Sequence, residues 1–210
     1  MKKVLIPLLI LFVAGILFYT LYGSASSEEA RESKYVEEII QKRRDKDNFM
    51  KHDEQSPLKP EQKESFAGLK YFEPDPAYRV EARIEENKKK DLLVLATSDN
   101  KQKPFKKWGY AIFTLDGEEH RLLLLQSAQG LKTEGLFLAF SDATSANETY
   151  GAGRYLDLEI PKKKTMIIDF NKAYNPYCAY TDGFSCPFPP KENNLSVAIR
   201  AGEKTFQNYD

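Results

Sequence analysis

The chain has 210 residues, of which 41% are hydrophobic and 30% charged, so it is long enough to bury a core of ordinary size. Its 31 basic residues balance its 31 acidic residues, and this balance argues against nucleic-acid binding, which needs an excess of positive charge. Two cysteines and two histidines leave little material for a metal site.

The N-terminus carries a long uncharged segment. Lys2 and Lys3 precede residues 4–22, a run about as long as a helix that crosses the ~30 Å hydrocarbon layer of a bilayer. We therefore expect residues 1–22 to form a membrane anchor. Because lysines favour the cytoplasmic side, the rest of the chain is expected on the extracytoplasmic side. The alternative is a signal peptide that is cleaved within residues 23–27 and leaves a secreted protein.

A charged helix is predicted to follow the anchor. Ser26 and Glu29 have the spacing of a capping box, which predicts a helix from there to about Asp47. Its apolar side chains form a narrow stripe at helical spacing: Tyr35, Val36, Ile39 and Ile40. This stripe either docks onto the following domain or binds a protein partner. Residues 23–55 are interpreted as a stalk helix and linker, and residues 60–66 as a short helical turn.

From residue 78 the hydrophobic pattern changes from helical to alternating. Eight strands are predicted, each bounded by turn residues: residues 78–85, 92–97, 108–115, 119–126, 136–140, 154–160, 165–170 and 195–200. Asp116 and Gly117 predict a tight hairpin between the third and fourth strands. Seven or eight strands with short turns predict a mainly β domain over residues 56–210, an antiparallel sandwich or a partly closed barrel.

Several sequence words occur in a fixed order after the stalk. They include FAGLKYF at residues 66–72, YGAGRYL at 150–156, DFNKAYNP at 169–176, CPFPP at 186–190 and AGEK at 201–204. From about Arg44 to Lys204 the chain resembles the bacterial and archaeal family called domain of unknown function 1684. The resemblance brings no established activity.

Polar residues and glycines in the last third of the chain indicate a ligand site. Gly151 and Gly153 let the backbone approach a ligand, and the Arg154 guanidinium can bind a carboxylate or phosphate. Asp169, at a strand end, can act as a general base or a metal ligand. The alternative is structural, with Arg154 paired internally to Asp142 or Asp169. The candidate ligand-binding residues are Asp142, Thr144, Tyr150, Gly151, Gly153, Arg154, Asp169, Asn171, Tyr174, Asn175, Glu203 and Lys204.

The two cysteines, Cys178 and Cys186, enclose a short segment. In an exported domain a disulfide between them is favoured, while two buried thiols or two metal ligands are the alternatives. Zinc sites use four ligands and closer cysteine spacings, and neither His52 nor His120 has ligand spacing. We therefore predict no metal site, and the sequence identifies no cofactor.

Three functions remain open. The first is a membrane-tethered extracytoplasmic domain that binds a small or anionic ligand near Asp142, Arg154 and Asp169. The second is a hydrolase that uses the same carboxylates, with or without a metal. The third is a structural or assembly protein that contacts partners through its stalk helix. Convergence of Asp142, Asp169 and Glu203 around a pocket would favour the hydrolase, and an exposed apolar stripe on the stalk helix would favour the assembly protein.

Overall fold

The computed structural model describes residues 28–128 and 135–206. A long helix, α1, occupies residues 28–52 and extends beyond the predicted end near Asp47; a short helix, α2, follows at Pro60–Ser65. Among the described residues, no helix has both the length and the apolar character that a membrane crossing requires. The predicted anchor, residues 4–22, and the predicted capping residue Ser26 lie outside the described residues.

Seven strands form one antiparallel sheet. They are β1 (Arg79–Glu86), β2 (Leu92–Ala96), β3 (Gln102–Leu115), β4 (Glu118–Ser127), β5 (Gly135–Phe140), β6 (Arg154–Glu159) and β7 (Thr165–Asp169). The strand order is β6-β5-β4-β3-β1-β7, and β2 pairs with β3 outside this path. Each of the seven matches a strand that the sequence predicts.

The two ends of this strand order approach each other. Beyond β7 the chain turns, and Tyr174 forms a β-bridge with Tyr155 of β6. Their backbone groups exchange two hydrogen bonds of 2.9 and 3.0 Å. Because β6 and β7 are the outermost strands, this bridge bends the sheet into a half-barrel. The prediction of a mainly β antiparallel domain is thus confirmed.

The prediction of an eighth strand at residues 195–200 is wrong. This segment forms no ladder with a neighbouring strand. Part of its backbone binds residues 141–143: the Leu195 amide donates to the Ser141 carbonyl at 2.8 Å, and the Val197 carbonyl accepts from the Ala143 amide at 3.0 Å. Side chains bind another part: the Ile199 amide donates to Asp142 Oδ1 at 3.1 Å, and the Ile199 carbonyl accepts from Arg154 Nη2 at 2.8 Å. Alternating apolar residues predicted a strand, but the backbone groups that a strand would pair are already bound.

The hairpin between β3 and β4 has the predicted turn. Asp116 and Gly117 both have positive φ, 53° and 81°, and Leu115 pairs with Glu118 across the turn. These are the backbone angles that a tight two-residue hairpin needs.

The core lies on both faces of β4. Residues 122–125 are all leucine and fully buried. Leu122 and Leu124 pack into the larger cluster, whereas Leu123 and Leu125 pack against Leu95 and other residues of a smaller one. Since successive side chains of a strand point to opposite faces, this unbroken apolar run requires cover on both sides.

Helix α1 packs against the half-barrel along one face. Ile39 is 2% exposed, and Met50 is fully buried in a cluster with Leu58, Phe66 and Leu69. Of the apolar stripe predicted from the sequence, Ile39 is therefore buried by the same chain, whereas Tyr35, Val36 and Ile40 are half-buried.

Candidate functional site

A buried ion pair joins β6 to the loop after β5. Arg154 Nη2 lies 2.8 Å from Asp142 Oδ2, and the two side chains are 0% and 1% exposed. The same guanidinium donates to the carbonyl oxygens of Ile199, at 2.8 Å, and Ala201. Burial lowers the pKa of Arg154, and the negative charge of Asp142 opposes that shift. Arg154 thus holds the C-terminal segment onto the domain from the inside.

Two further predicted residues support this pair. The amide and the hydroxyl of Thr144 donate to Asp142 Oδ1 at 2.8 and 2.6 Å. Gly153 has φ +88°, and a Cβ there would lie 2.5 Å from the carbonyl oxygen of Phe140. Glycine at this position is therefore needed for backbone packing. These candidates occupy the interior, away from solvent.

Asp169 forms a second network, which holds α1. The Tyr35 hydroxyl donates to Asp169 Oδ1 at 2.7 Å and accepts from Asn171 Nδ2 at 2.9 Å. Lys172 Nζ lies 3.1 Å from Asp169 Oδ2. Burial, followed by the hydrogen bond to Asp169, raises the pKa of Tyr35. The phenol therefore stays protonated and acts as a donor at neutral pH.

Glu203 forms a third network around a fully buried carboxylate. Asn175 Nδ2, at 2.9 Å, and the Tyr180 hydroxyl donate to Oε1, and Lys46 Nζ lies 2.8 Å from Oε2. Burial raises the pKa of Tyr180 well above its usual range, and the charge of Glu203 raises it further. The carboxylate thereby connects α1 with the C-terminal segment.

The remaining predicted residues lie nearer the surface. Gly151 is exposed, and the half-buried Tyr150 donates its hydroxyl to the Cys178 carbonyl at 3.4 Å. The Lys204 amide donates to the Lys70 carbonyl at 2.8 Å. The structure therefore places most of the predicted polar residues in three networks, centred on Asp142, Asp169 and Glu203.

A cleft of about 650 Å³ opens beside the second and third networks. It lies between α1, β6 and the segment 176–187 that contains the two cysteines. Five aromatic rings line it: Phe49, Tyr155, Tyr174, Tyr177 and Phe184. Its charged lining consists of Lys46, Lys103, Lys172 and Asp157.

The charged groups of the cleft differ in their partners. Lys46 and Lys172 face the carboxylates of Glu203 and Asp169. Lys103 Nζ donates to the Ser185 carbonyl at 2.5 Å and forms no ion pair with a carboxylate of the described residues. The Asp157 carboxylate accepts from the Tyr174 hydroxyl at 2.8 Å. Burial is the main cause that raises the pKa of Tyr174, and Asp157 adds to it.

Of the residues that line the cleft, Tyr174 is predicted from the sequence as a ligand-binding candidate and Cys186 as a disulfide partner. Most of the others are not predicted from the sequence. Phe49, Lys103 and Phe184 come from α1, β3 and the cysteine loop, which are far apart along the chain. The signal available in the sequence is the spacing of Lys46 and Phe49 on the helix face that carries Ile39, because residues three and four apart share a face.

Cys178 and Cys186 form the predicted disulfide. Ser98 ties the resulting loop to the end of β2: its amide donates to the Cys186 carbonyl at 3.0 Å, and its hydroxyl donates to the Phe184 carbonyl at 2.9 Å. Across residues 28–128 and 135–206, no group of three or more histidine, cysteine, aspartate or glutamate side chains is placed to hold a metal ion.

Comparison with known proteins shows to which family the chain belongs. No curated protein matches the chain. A similar solved structure is the solution NMR structure of an uncharacterized protein of Haloarcula marismortui, which is 37% identical with a TM-score of 0.66 and covers 84% of this chain and 97% of that one. The family described as Protein of unknown function (DUF1684) matches residues 64–204. Since this match spans more than half of the chain, the protein belongs to the DUF1684 family.

Proposed function

We propose that the domain binds a small organic ligand, with an apolar body and a negatively charged group, in the cleft between α1 and the disulfide loop. The observation that carries this proposal is the cleft itself, with five aromatic rings and three lysines in its lining. Its volume of about 650 Å³ lies within the ~300–1,000 Å³ range of small-molecule sites.

The aromatic lining favours an apolar ligand body. Tyr177 and Phe184 stack edge to face, with ring centroids 5.0 Å apart, and Tyr177 is 37% exposed. Burying such rings against a ligand removes apolar surface from water, at roughly 25 cal/mol per Å². The rings therefore supply most of the expected affinity.

The charged lining favours a negative group on the ligand. Within the described residues Lys103 donates to a carbonyl oxygen and forms no ion pair. Lys46 and Lys172, which pair with Glu203 and Asp169, place two more ammonium groups at the cleft. The buried network of Asp142 and Arg154 contributes by holding the C-terminal segment in place. The proposed ligand contacts are therefore Tyr174 and the lysines of the cleft, and Arg154 is not one of them.

The alternatives draw less support. Asp142, Asp169 and Glu203, which the hydrolase hypothesis needs around one pocket, each have a separate set of hydrogen-bond partners. The assembly hypothesis needs an exposed apolar stripe on α1, whereas Ile39 is buried against the domain.

Localisation is part of the same proposal. A tether in residues 4–22 would hold the domain on the extracytoplasmic side. The disulfide is consistent with this side, because disulfides persist in oxidising compartments.

The proposal is tested by calorimetric titration of the full-length protein in lipid nanodiscs with phenylacetate and with 2-phenylethanol. We expect phenylacetate to bind, and Phe184→Ala to weaken binding about tenfold or more, since an aromatic wall is lost. Leu92→Ala is the matched control, because Leu92 is 65% exposed on β2 and does not line the cleft. Unchanged affinity of Phe184→Ala, or no binding of either probe, would overturn the proposal.

A further inference from the structure

A second, smaller hollow lies beside the cleft, between α1 and residues 171–174. It measures about 180 Å³, several times the ~10–15 Å³ that one water needs. Its lining includes four cationic side chains and no carboxylate: Lys42, Arg43, Lys46 and Lys172. A hollow with this lining selects negative charge.

The charge of the hollow is only partly compensated. The carboxylates of Glu203 and Asp169 do not line the hollow, but they pair with two of its lysines, Lys46 and Lys172. Arg43 donates to the carbonyl oxygens of Phe72 and Asn171. Among the described residues, neither Arg43 nor Lys42 forms an ion pair with a carboxylate; the charges of Glu73 and Asp169 act on Arg43 only at longer range, and Lys42 is exposed.

Two polar groups that line the hollow also lack hydrogen-bond partners. Within the described chain, the buried Arg43 Nε and Tyr71 hydroxyl have none. The Arg43 guanidinium lies over the Tyr71 ring, 4.5 Å from its centroid. Unpaired buried donors are unfavourable, and a ligand rich in acceptor oxygens would relieve them after a small side-chain adjustment.

The hollow adjoins the cleft. Lys46, Lys172 and Tyr174 line both. A molecule with its apolar body among the aromatic rings of the cleft can therefore place a terminal group in the hollow.

We infer that the hollow seats a doubly charged oxyanion, so that the ligand of the cleft is a phosphomonoester with an aromatic or acyl body. This inference rests on the proposed function, because the cleft holds the body of the same molecule. A phosphomonoester carries about −1.5 to −2 charges at neutral pH and three acceptor oxygens. These match the two cations that form no ion pair within the described chain and the unpaired donors, whereas a carboxylate offers one charge and two oxygens.

The test compares benzyl phosphate, phenylacetate and inorganic phosphate by calorimetric titration of the full-length protein in phosphatidylcholine nanodiscs. We expect benzyl phosphate to bind about tenfold or more tightly than phenylacetate, since an extra charged hydrogen bond is worth at least that factor. Its affinity should rise between about pH 5 and pH 7.5, as the second phosphate proton leaves near pH ~6. Phenylacetate, already ionised, should show no such rise.

Variants separate the hollow from the cleft. Lys42→Gln should weaken benzyl phosphate about tenfold and leave 2-phenylethanol unchanged. Lys34→Gln is the matched control, because Lys34 lies on the same helix and lines neither hollow nor cleft. Nanodiscs with phosphatidic acid form a further arm: competition with benzyl phosphate identifies a lipid headgroup, and its absence identifies a soluble phosphomonoester.

Three results would be decisive against the inference. Equal affinities for benzyl phosphate and phenylacetate, or full affinity of Lys42→Gln for benzyl phosphate, would overturn the oxyanion seat and leave the cleft proposal standing. Failure of every aromatic probe would overturn both.

Discussion

Arg154 and Asp142 carry opposite charges where water does not reach, and that position decides their role. Charges out of water are tolerated only when paired and hydrogen-bonded. Arg154 meets this condition through Asp142 and the carbonyl oxygens of Ile199 and Ala201. The residue types that suggested an anion site therefore serve as an internal clamp.

Asp142→Asn should destabilise the protein by about 3–5 kcal/mol, because Arg154 would stay buried without its counter-charge. The control is Arg83→Gln, which breaks the Arg83–Glu85 pair, 2.6 Å long with side chains 56% and 45% exposed. Surface pairs contribute at most about 1 kcal/mol. Urea unfolding of both variants measures the difference, and equal losses would contradict the internal role of Asp142.

At the residue level the sequence indicated which side chains matter and not how they group. Asp142, Asp169 and Glu203 were expected to converge if the protein were a hydrolase. Each binds different partners instead, because side-chain grouping depends on which backbone segments cross in space. Residue spacing along the chain carries no information about those crossings.

At the scale of elements, the junction before β6 depends on a close backbone approach. Gly153 passes the carbonyl of Phe140 at a distance that leaves no room for a Cβ. The hairpin residue Gly117 also has positive φ, but an added Cβ would meet nothing within 4 Å. Substituting the two glycines therefore distinguishes the cost of backbone strain from the cost of steric overlap.

Gly153→Ala should cost about 3 kcal/mol or more, the sum of a left-handed backbone penalty and an overpacking penalty. Gly117→Ala should cost only about 1–2 kcal/mol, since strain acts alone. Thermal and urea unfolding check both values. A Gly153→Ala variant no less stable than Gly117→Ala would show that the junction relaxes freely.

The prediction of elements succeeded where local pattern and tertiary pairing agree. Alternating residues in β1 and the Asp116-Gly117 turn led to correct predictions because period and turn geometry are local properties. Residues 195–200 have a similar apolar alternation, yet they form no strand, because the loop residues 141–143 and the Arg154 side chain bind their backbone groups.

At the scale of the whole molecule, the cleft exists because three distant parts meet. Helix α1 supplies one wall, the half-barrel supplies the floor, and the disulfide loop supplies the other wall. The loop is held by the bond between Cys178 and Cys186 and by Ser98. Removing the bond should therefore affect stability and ligand binding together.

Replacing both cysteines by alanine should lower the free energy of unfolding by about 2–3 kcal/mol, the loop-entropy value for so short a loop. The variant should also bind phenylacetate more weakly, because the wall that contains Phe184 loses its constraint. Urea unfolding and calorimetric titration measure the two effects. A thiol assay on denatured, unreduced wild-type protein should find no free thiol, and two reactive thiols would contradict the disulfide.

The sequence by itself determined the family, seven of the eight predicted strands, the hairpin between β3 and β4 and the helix before the domain, and it favoured the disulfide over two alternatives. These follow from local periodicity, turn chemistry and short sequence motifs, which are properties of neighbouring residues and do not depend on the tertiary arrangement. Only the tertiary structure decided that Arg154 is buried and that Phe49, Lys103 and Phe184 face one cleft. Burial and proximity arise when the sheet bends and α1 docks across it, and those events depend on contacts between residues far apart in the chain.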